Sequence, residues 1–401
     1  MSDLQKSFAK SRLARLPPEV PVFDELSEGQ VKSEVYSEHL EDDSSSASST
    51  SSTGTIVPSA SQKLFERGTG ARSRSNFVAS PWQEFFETEL FIEEDINGLK
   101  ITHHVYLASP SKSGPLFVTH HGAGSSGLSF AACAAEIRRI LPIAGVLSLD
   151  ARNHGLTTQD TDSSQEAELD LTLETLSRDV IYIINKTKER MNWDSIPPLV
   201  LVGHSLGGAV VTDVAKGGDL GSNVLAYAVL DVVEGSAMDA LQTSGIEWHT
   251  RSRTIRNTSS ARVSVQGLLR EEPQGGDSDL AGSWKWRTDL AHTKLFWENW
   301  FTGLSKKFLQ ARGGKLLLLA GTDRLDKELI IGQMQGMVST RKYQLQVFPE
   351  AGHFIHEDQP VKTAQILVDF YKRNDRSALI LPPKVSDMLA SRDSAQKRGL
   401  K

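Results

Sequence analysis

Pro198-Leu199-Val200-Leu201-Val202 runs directly into Gly203-His204-Ser205-Leu206-Gly207, and Gly208-Ala209-Val210-Val211-Thr212-Asp213-Val214-Ala215 follows. The first segment is a short unbroken apolar run, the pattern of a strand buried on both faces. The last opens with small residues and reads as a helix. A serine between them must sit on a sharp turn in a strained backbone conformation. Glycines two positions before and after remove the side chains that would collide there, and the helix N-terminus beneath favours negative charge. Such a turn presents a nucleophile. A plain tight turn is the alternative, and strand, helix and both glycines together count against it.

Outward from this turn, short apolar runs alternate with helical patterns. Phe85 to Ile92 and Leu99 to Leu107 read as paired strands joined through Asn97-Gly98, a favoured hairpin turn. Further strands are predicted at Pro115–Thr119, Gly145–Asp150, Leu199–Val202 and Leu225–Val233, with helices at Ser129–Ile140, Leu169–Arg190 and Gly207–Ala215. The alternation stops between about 236 and 312. It resumes with a strand at Lys315–Ala320, a helix near 326–337, a strand at Gln344–Phe348 and a final helix at Val361–Arg373. This order predicts an α/β fold with a mostly parallel central sheet flanked by helices on both faces. The interruption carries Trp248, Trp284, Trp286, Trp297, Trp300 and Phe301, too apolar for a linker, and is predicted to be an inserted, mainly helical cap. Within it, about 268–283, including Glu271-Glu-Pro-Gln-Gly-Gly-Asp-Ser-Asp-Leu-Ala-Gly282, reads as a mobile loop.

Of the 401 residues, 39% are hydrophobic. That is below the roughly 45–50% of globular domains, so unfolded polar sequence must dilute an ordinary core. The Ser-rich residues 1–80 supply it, since Asp42 to Thr55 has almost nothing to bury and is predicted to be disordered. Residues 81–375 are assigned to the α/β domain and 376–401 to a charged tail. A net charge of −6 argues against general nucleic-acid binding, which needs a basic footprint. The single cysteine, Cys133, excludes an intramolecular disulfide framework and fits a reducing compartment. No apolar run approaches the roughly 18 residues that cross a bilayer, and the first residues lack the apolar stretch of a signal peptide. The expectation is a soluble intracellular protein of the cytoplasm or nucleus, without membrane or nucleic-acid partners.

Phe117-Val-Thr-His-His-Gly-Ala-Gly-Ser125 follows an earlier strand and resembles the His-Gly-rich loop that supplies a backbone donor in the α/β-hydrolase fold. The amides of Leu206 and Ala123 are the expected oxyanion pair, each worth on the order of 3 kcal/mol. Leu149-Asp-Ala-Arg-Asn-His-Gly155 resembles a structural turn of related hydrolases, so Arg152 and His154 are read as structural. His353 is the expected base: it follows the last strand in Pro349-Glu-Ala-Gly-His-Phe, where a glycine lets the loop swing its imidazole over the sheet edge. His356 is a weaker candidate, His204 points away from Ser205, and His120 and His121 belong to the oxyanion loop. Two aspartates compete as the acid. Asp323 follows the next-to-last strand and Asp231 ends the strand after the nucleophile helix; topology alone favours Asp323.

From Pro81-Trp82 to Tyr371 the chain resembles one family of α/β hydrolases, the protein phosphatase methylesterases. The distinctive stretches are Asp231-Val-Val-Glu-Gly-Ser-Ala-Met-Asp239, Ile255-Arg-Asn-Thr-Ser-Ser-Ala-Arg-Val263, Trp286-Arg-Thr-Asp-Leu-Ala291 and Trp297-Glu-Asn-Trp-Phe-Thr-Gly-Leu304. Leu317-Leu-Leu-Ala-Gly-Thr-Asp-Arg-Leu-Asp-Lys327 and Ile331-Gly-Gln-Met-Gln-Gly336 complete them. The resemblance implies Asp231 as the acid, with Asp323 structural or site-supporting. It implies a Ser205–His353–Asp231 acyl-enzyme mechanism that needs no metal or organic cofactor. The implied substrate is the methyl ester on the C-terminal leucine of the protein phosphatase 2A catalytic subunit. The Ser-rich tail and a shorter acidic cap loop depart from the family pattern and leave the phosphatase contacts open. The cap Trp and Arg residues fit either a gripping surface or a structural core.

Two other readings remain at this level. One is a small-molecule carboxylesterase or lipase; the other is a binding protein that holds the phosphatase inactive.

Overall fold

A computed structural model describes residues 78–161, 169–242, 255–271, 284–321, 325–334 and 343–375. The expectations for the N-terminal region up to 77, for the tail from 376, and for Trp248 and Asp323 lie outside the described residues, as does 272–283 of the expected loop.

Strands β1 (Thr88–Ile96) and β2 (Leu99–Ala108) pair antiparallel, with Ile96 facing Leu99. Asn97 and Gly98 between them both take positive φ, 54° and 88°, which matches the twist of a two-residue hairpin. The first strand starts at Thr88, not Phe85, because the amides of Phe85 and Phe86 bond back to the Trp82 carbonyl in a short 3-10 turn. Then come β3 (Leu116–His120), α1 (Ala131–Ile140), β4 (Gly145–Leu149), β5 (Thr158–Thr161), α2 (Leu173–Arg190), β6 (Leu199–His204), α3 (Leu206–Gly217) and β7 (Val224–Leu230). Between β7 and the next sheet strand lie α4 (Glu234–Gln242), α5 (Thr258–Leu268), β8 (Leu269–Glu271), β9 (Trp284–Trp286), α6 (Leu290–Thr293), α7 (Trp297–Phe301) and α8 (Leu304–Gln310). The chain closes with β10 (Gly314–Leu319), α9 (Lys327–Met334), β11 (Tyr343–Val347), α10 (Ile355–Asp358) and α11 (Pro360–Asn374).

The main sheet runs β1-β2-β4-β3-β6-β7-β10-β11, with β5 added beside β2. Pairing is parallel from β4 to β11 and antiparallel where β2 meets β1, β4 and β5. Strand β5 has no counterpart in the sequence reading, because Thr158-Gln-Asp-Thr161 lacks any apolar pattern.

Alternation along β6 divides the core. Leu199 and Leu201 pack with α2 and α3 through Val180, Ile183, Val210 and Val214. Val200 and Val202 face α1 and α11 through Ile137, Leu367 and Phe370. The segment between β7 and β10 contributes to both layers. Val263 of α5 joins the α1 and α11 side, whereas Trp297, Trp300, Phe301, Leu304 and Phe308 join the α2 and α3 side. Full burial of one such side chain is worth about 1.5–3 kcal/mol, so these residues fix the inserted helices to the sheet. Leu269–Glu271, expected in a loop, instead pairs with Trp284–Trp286 as an antiparallel ribbon. Among the described residues no helix is long and apolar enough to cross a membrane.

Candidate active site

Ser205 stands between β6 and α3 at φ 52°, ψ −119°. A non-glycine residue there costs of order 1–3 kcal/mol and persists only when its surroundings enforce it. Here its amide donates to the Leu230 carbonyl at 3.0 Å and its own carbonyl accepts from the Gly208 amide at 2.8 Å. A Cβ on Gly203 would lie 2.0 Å from the Gly207 carbonyl oxygen, and one on Gly207 would lie 2.1 Å from that of His120. Both glycines are therefore sterically required, for the reason the sequence pattern gave.

His353 lies in the turn between β11 and α10, and its Nδ1 donates to Asp231 Oδ2 at 2.7 Å. Asp231 follows the end of β7 at φ 53°, where its amide donates to the Leu318 carbonyl at 2.7 Å. Its Oδ1 accepts from the Ala320 amide at 2.8 Å. With both carboxylate oxygens acting as acceptors, the His353 proton is placed on Nδ1, which leaves Nε2 as the basic nitrogen. Both side chains are buried.

The turn carrying His353 is braced from three directions. His204 Nε2 donates to the His353 carbonyl at 2.8 Å, with the two rings 4.6 Å apart. Asp358 accepts from the Gly352 and Arg256 amides, each at 2.7 Å. Arg256 Nη1 in turn donates to the Glu350 carbonyl at 2.8 Å. Sequence reasoning assigned no role to Arg256 or Asp358; the available signal was that Arg256 lies in the distinctive Ile255–Val263 stretch. His356 is not placed as a base. Its ring stacks on Phe130 at 4.1 Å, and burial pushes its pKa down to about 3, so it is neutral.

Ala123 belongs to the loop after β3. A Cβ added to Gly122 would come within 3.1 Å of the Ser205 Cβ, so this loop lies directly against the nucleophile. His154 Nε2 accepts from the Gly124 amide at 2.9 Å while its Nδ1 donates to the Arg152 carbonyl at 2.6 Å. Arg152 is held by Asp179, one of the two contacts measuring 2.9 Å. His121 Nε2 accepts from the Ala151 amide at 3.0 Å, and burial, with His154 and His120 nearby, keeps this ring neutral. Arg152 and His154 thus anchor the loop from behind. Among the described residues neither the Leu206 nor the Ala123 amide has a protein acceptor. Glu94, His103 and Asp179 are spaced for a metal, but the Arg152 guanidinium already pairs with Asp179. A cation there would face that positive charge.

Residues 116–366 match the family model described as the alpha/beta hydrolase family. Protein phosphatase methylesterase 1 of Aspergillus oryzae is 61% identical, over 100% of this chain and 96% of that protein. The Schizosaccharomyces pombe protein of the same name is 41% identical, over 76% of this chain and 88% of its own. Among solved structures, E-2-(acetamidomethylene)succinate hydrolase superposes with a TM-score of 0.50 at 16% identity, covering 71% of this chain and 100% of that one. A peroxisomal alpha-beta-hydrolase of Saccharomyces cerevisiae gives a TM-score of 0.50 at 14% identity, covering 78% and 98%. These two share the fold alone. The identity and coverage of the fungal relatives go further: the chain belongs to the protein phosphatase methylesterases, a family of α/β hydrolases.

Proposed function

We propose that this esterase removes the methyl ester from the C-terminal leucine of the protein phosphatase 2A catalytic subunit, with Ser205, His353 and Asp231 as its triad. The observation that carries the triad is the Asp231–His353 hydrogen bond of 2.7 Å, on the loop that packs against the Ser205 elbow. Ser205 Oγ attacks the ester carbonyl as His353 Nε2 takes its proton, and Asp231 stabilises the imidazolium. The Leu206 and Ala123 amides receive the oxyanion. His353 returns the proton to the departing methoxide, so methanol leaves and an acyl-Ser205 ester remains. Water, deprotonated by the same nitrogen, then attacks that ester, freeing the leucine carboxylate and regenerating the serine. Every proton is handled by protein groups, so no cofactor is assigned. The single cysteine fits a reducing, intracellular compartment for this reaction.

The substrate assignment is tested by giving the enzyme both methylated phosphatase catalytic subunit and a panel of short acyl esters. Preferential loss of the leucine methyl ester supports it. Fast turnover of short esters with the phosphatase left methylated would favour a small-molecule carboxylesterase. The binding-protein reading is separated by Ser205→Ala, which in that case would still capture and inhibit the phosphatase.

A further inference from the structure

The ribbon β8–β9 and the segment Asn153–Asp160 enclose a polar cleft of about 390 Å³. Arg270 of β8 and Arg287, which directly follows β9, are among its lining residues. Among the described residues no carboxylate pairs with either guanidinium, although Arg287 Nε donates to the Leu269 carbonyl at 3.0 Å, which anchors its stem. The lining also includes His154, the residue that holds the Gly124 amide of the oxyanion loop. Thr288 Oγ1 donates to the Asn153 carbonyl at 2.9 Å and ties ribbon and segment together. Two cations against the one carboxylate of Asp160 leave the cleft net positive. It therefore lies one side chain from the oxyanion loop, in a protein whose net charge is −6. A planar guanidinium with several N–H donors is suited to a carboxylate.

We infer that this cleft is a subsite for an acidic side chain of the substrate polypeptide, upstream of the methylated leucine. The inference rests on the reading that the ester ends a polypeptide, because only then does chain continue past the oxyanion loop toward the arginines. Arg270 and Arg287 act in recognition and not in the chemical step.

The test compares Arg270→Glu, Arg270→Lys and Arg287→Gln with wild type on methylated phosphatase catalytic subunit and on a short acyl ester. Charge reversal at Arg270 raises KM for the phosphatase by roughly fivefold or more. It leaves kcat and short-ester turnover unchanged, and Arg270→Lys, which keeps the charge but loses the planar fork, raises KM less than Arg270→Glu. Placing a lysine at the upstream substrate position that occupies the cleft restores KM with Arg270→Glu. Unchanged KM in all three variants would overturn the subsite, as would equal loss on both substrates. Wild type that cleaves the short ester but never the methylated phosphatase would instead sink the substrate assignment on which the subsite depends.

Discussion

Asp231→Asn changes one atom in size by almost nothing, yet the geometry predicts a large loss. Oδ1 accepts from the Ala320 amide at 2.8 Å and Oδ2 from His353 Nδ1 at 2.7 Å, so both positions require an acceptor. An asparagine has one acceptor and one donor. If its carbonyl faces Ala320, its NH2 faces His353 Nδ1 and drives the proton onto Nε2, abolishing the base. If it flips, the NH2 confronts the Ala320 N–H and that donor loses its acceptor. The first arrangement preserves packing and is the one expected. Trapping a catalytic histidine in the wrong tautomer lowers turnover about 10⁴-fold, or about 5.5 kcal/mol of transition-state stabilisation. The assay is steady-state loss of the leucine methyl ester, with circular dichroism to confirm folding. A folded variant that retains more than about a tenth of wild-type turnover would refute this reasoning. Asp323→Ala, measured beside it, should fall much less.

Other substitutions probe other parts of the account. Trp300, 1% exposed with its Nε1 donating to the Leu171 carbonyl at 2.6 Å, should cost about 3–5 kcal/mol in chemical denaturation when changed to Ala. Trp284→Ala, at a position 63% exposed, should alter stability by no more than about 0.5 kcal/mol. Gly207→Ala forces a Cβ to 2.1 Å from the His120 carbonyl oxygen and should abolish esterase turnover, with a fall in melting temperature. Burial, helped by the charge of Asp358, raises the Glu357 carboxyl from 4.5 to about 8, so the folded state keeps a proton that the unfolded chain has released. The contribution of Glu357 to stability therefore declines as pH rises through that interval. Glu357→Gln cannot ionise, so its melting temperature relative to wild type should climb from pH 4.5 to about 8; a constant difference would contradict the assignment.

The elbow was legible because its pattern is local: strand, glycine, serine, glycine and helix occupy consecutive positions, although the Cβ forbidden at Gly207 meets the His120 carbonyl of β3 while the one at Gly203 meets Gly207 itself. The Asn97-Gly98 hairpin was legible for a similar reason. The acid was not decided by strand counting, since β7 and β10 are sheet neighbours and an aspartate follows each. The positive φ at Asp231 and the Ala320 amide that meets its carboxylate are not written in hydrophobic pattern. Family resemblance implied Asp231 where fold topology alone favoured Asp323. The brace between Arg256 and Asp358 joins residues 102 apart, beyond any local signal. The ribbon was missed because Leu269–Glu271 and Trp284–Trp286 are three residues each, too short to show alternation. Nor could composition assign the cap tryptophans: Trp297 and Trp300 are buried, whereas Trp284 and Trp286 are exposed.

The most direct measurement is the methylation state of the phosphatase 2A catalytic subunit, followed by mass spectrometry during incubation with wild type and with Ser205→Ala. Wild type is expected to remove the methyl ester and release methanol. Turnover by the variant, which keeps its fold, is expected to be lower by on the order of a millionfold. Demethylation by folded Ser205→Ala at a rate close to wild type would contradict the central claim that Ser205 carries the acyl group.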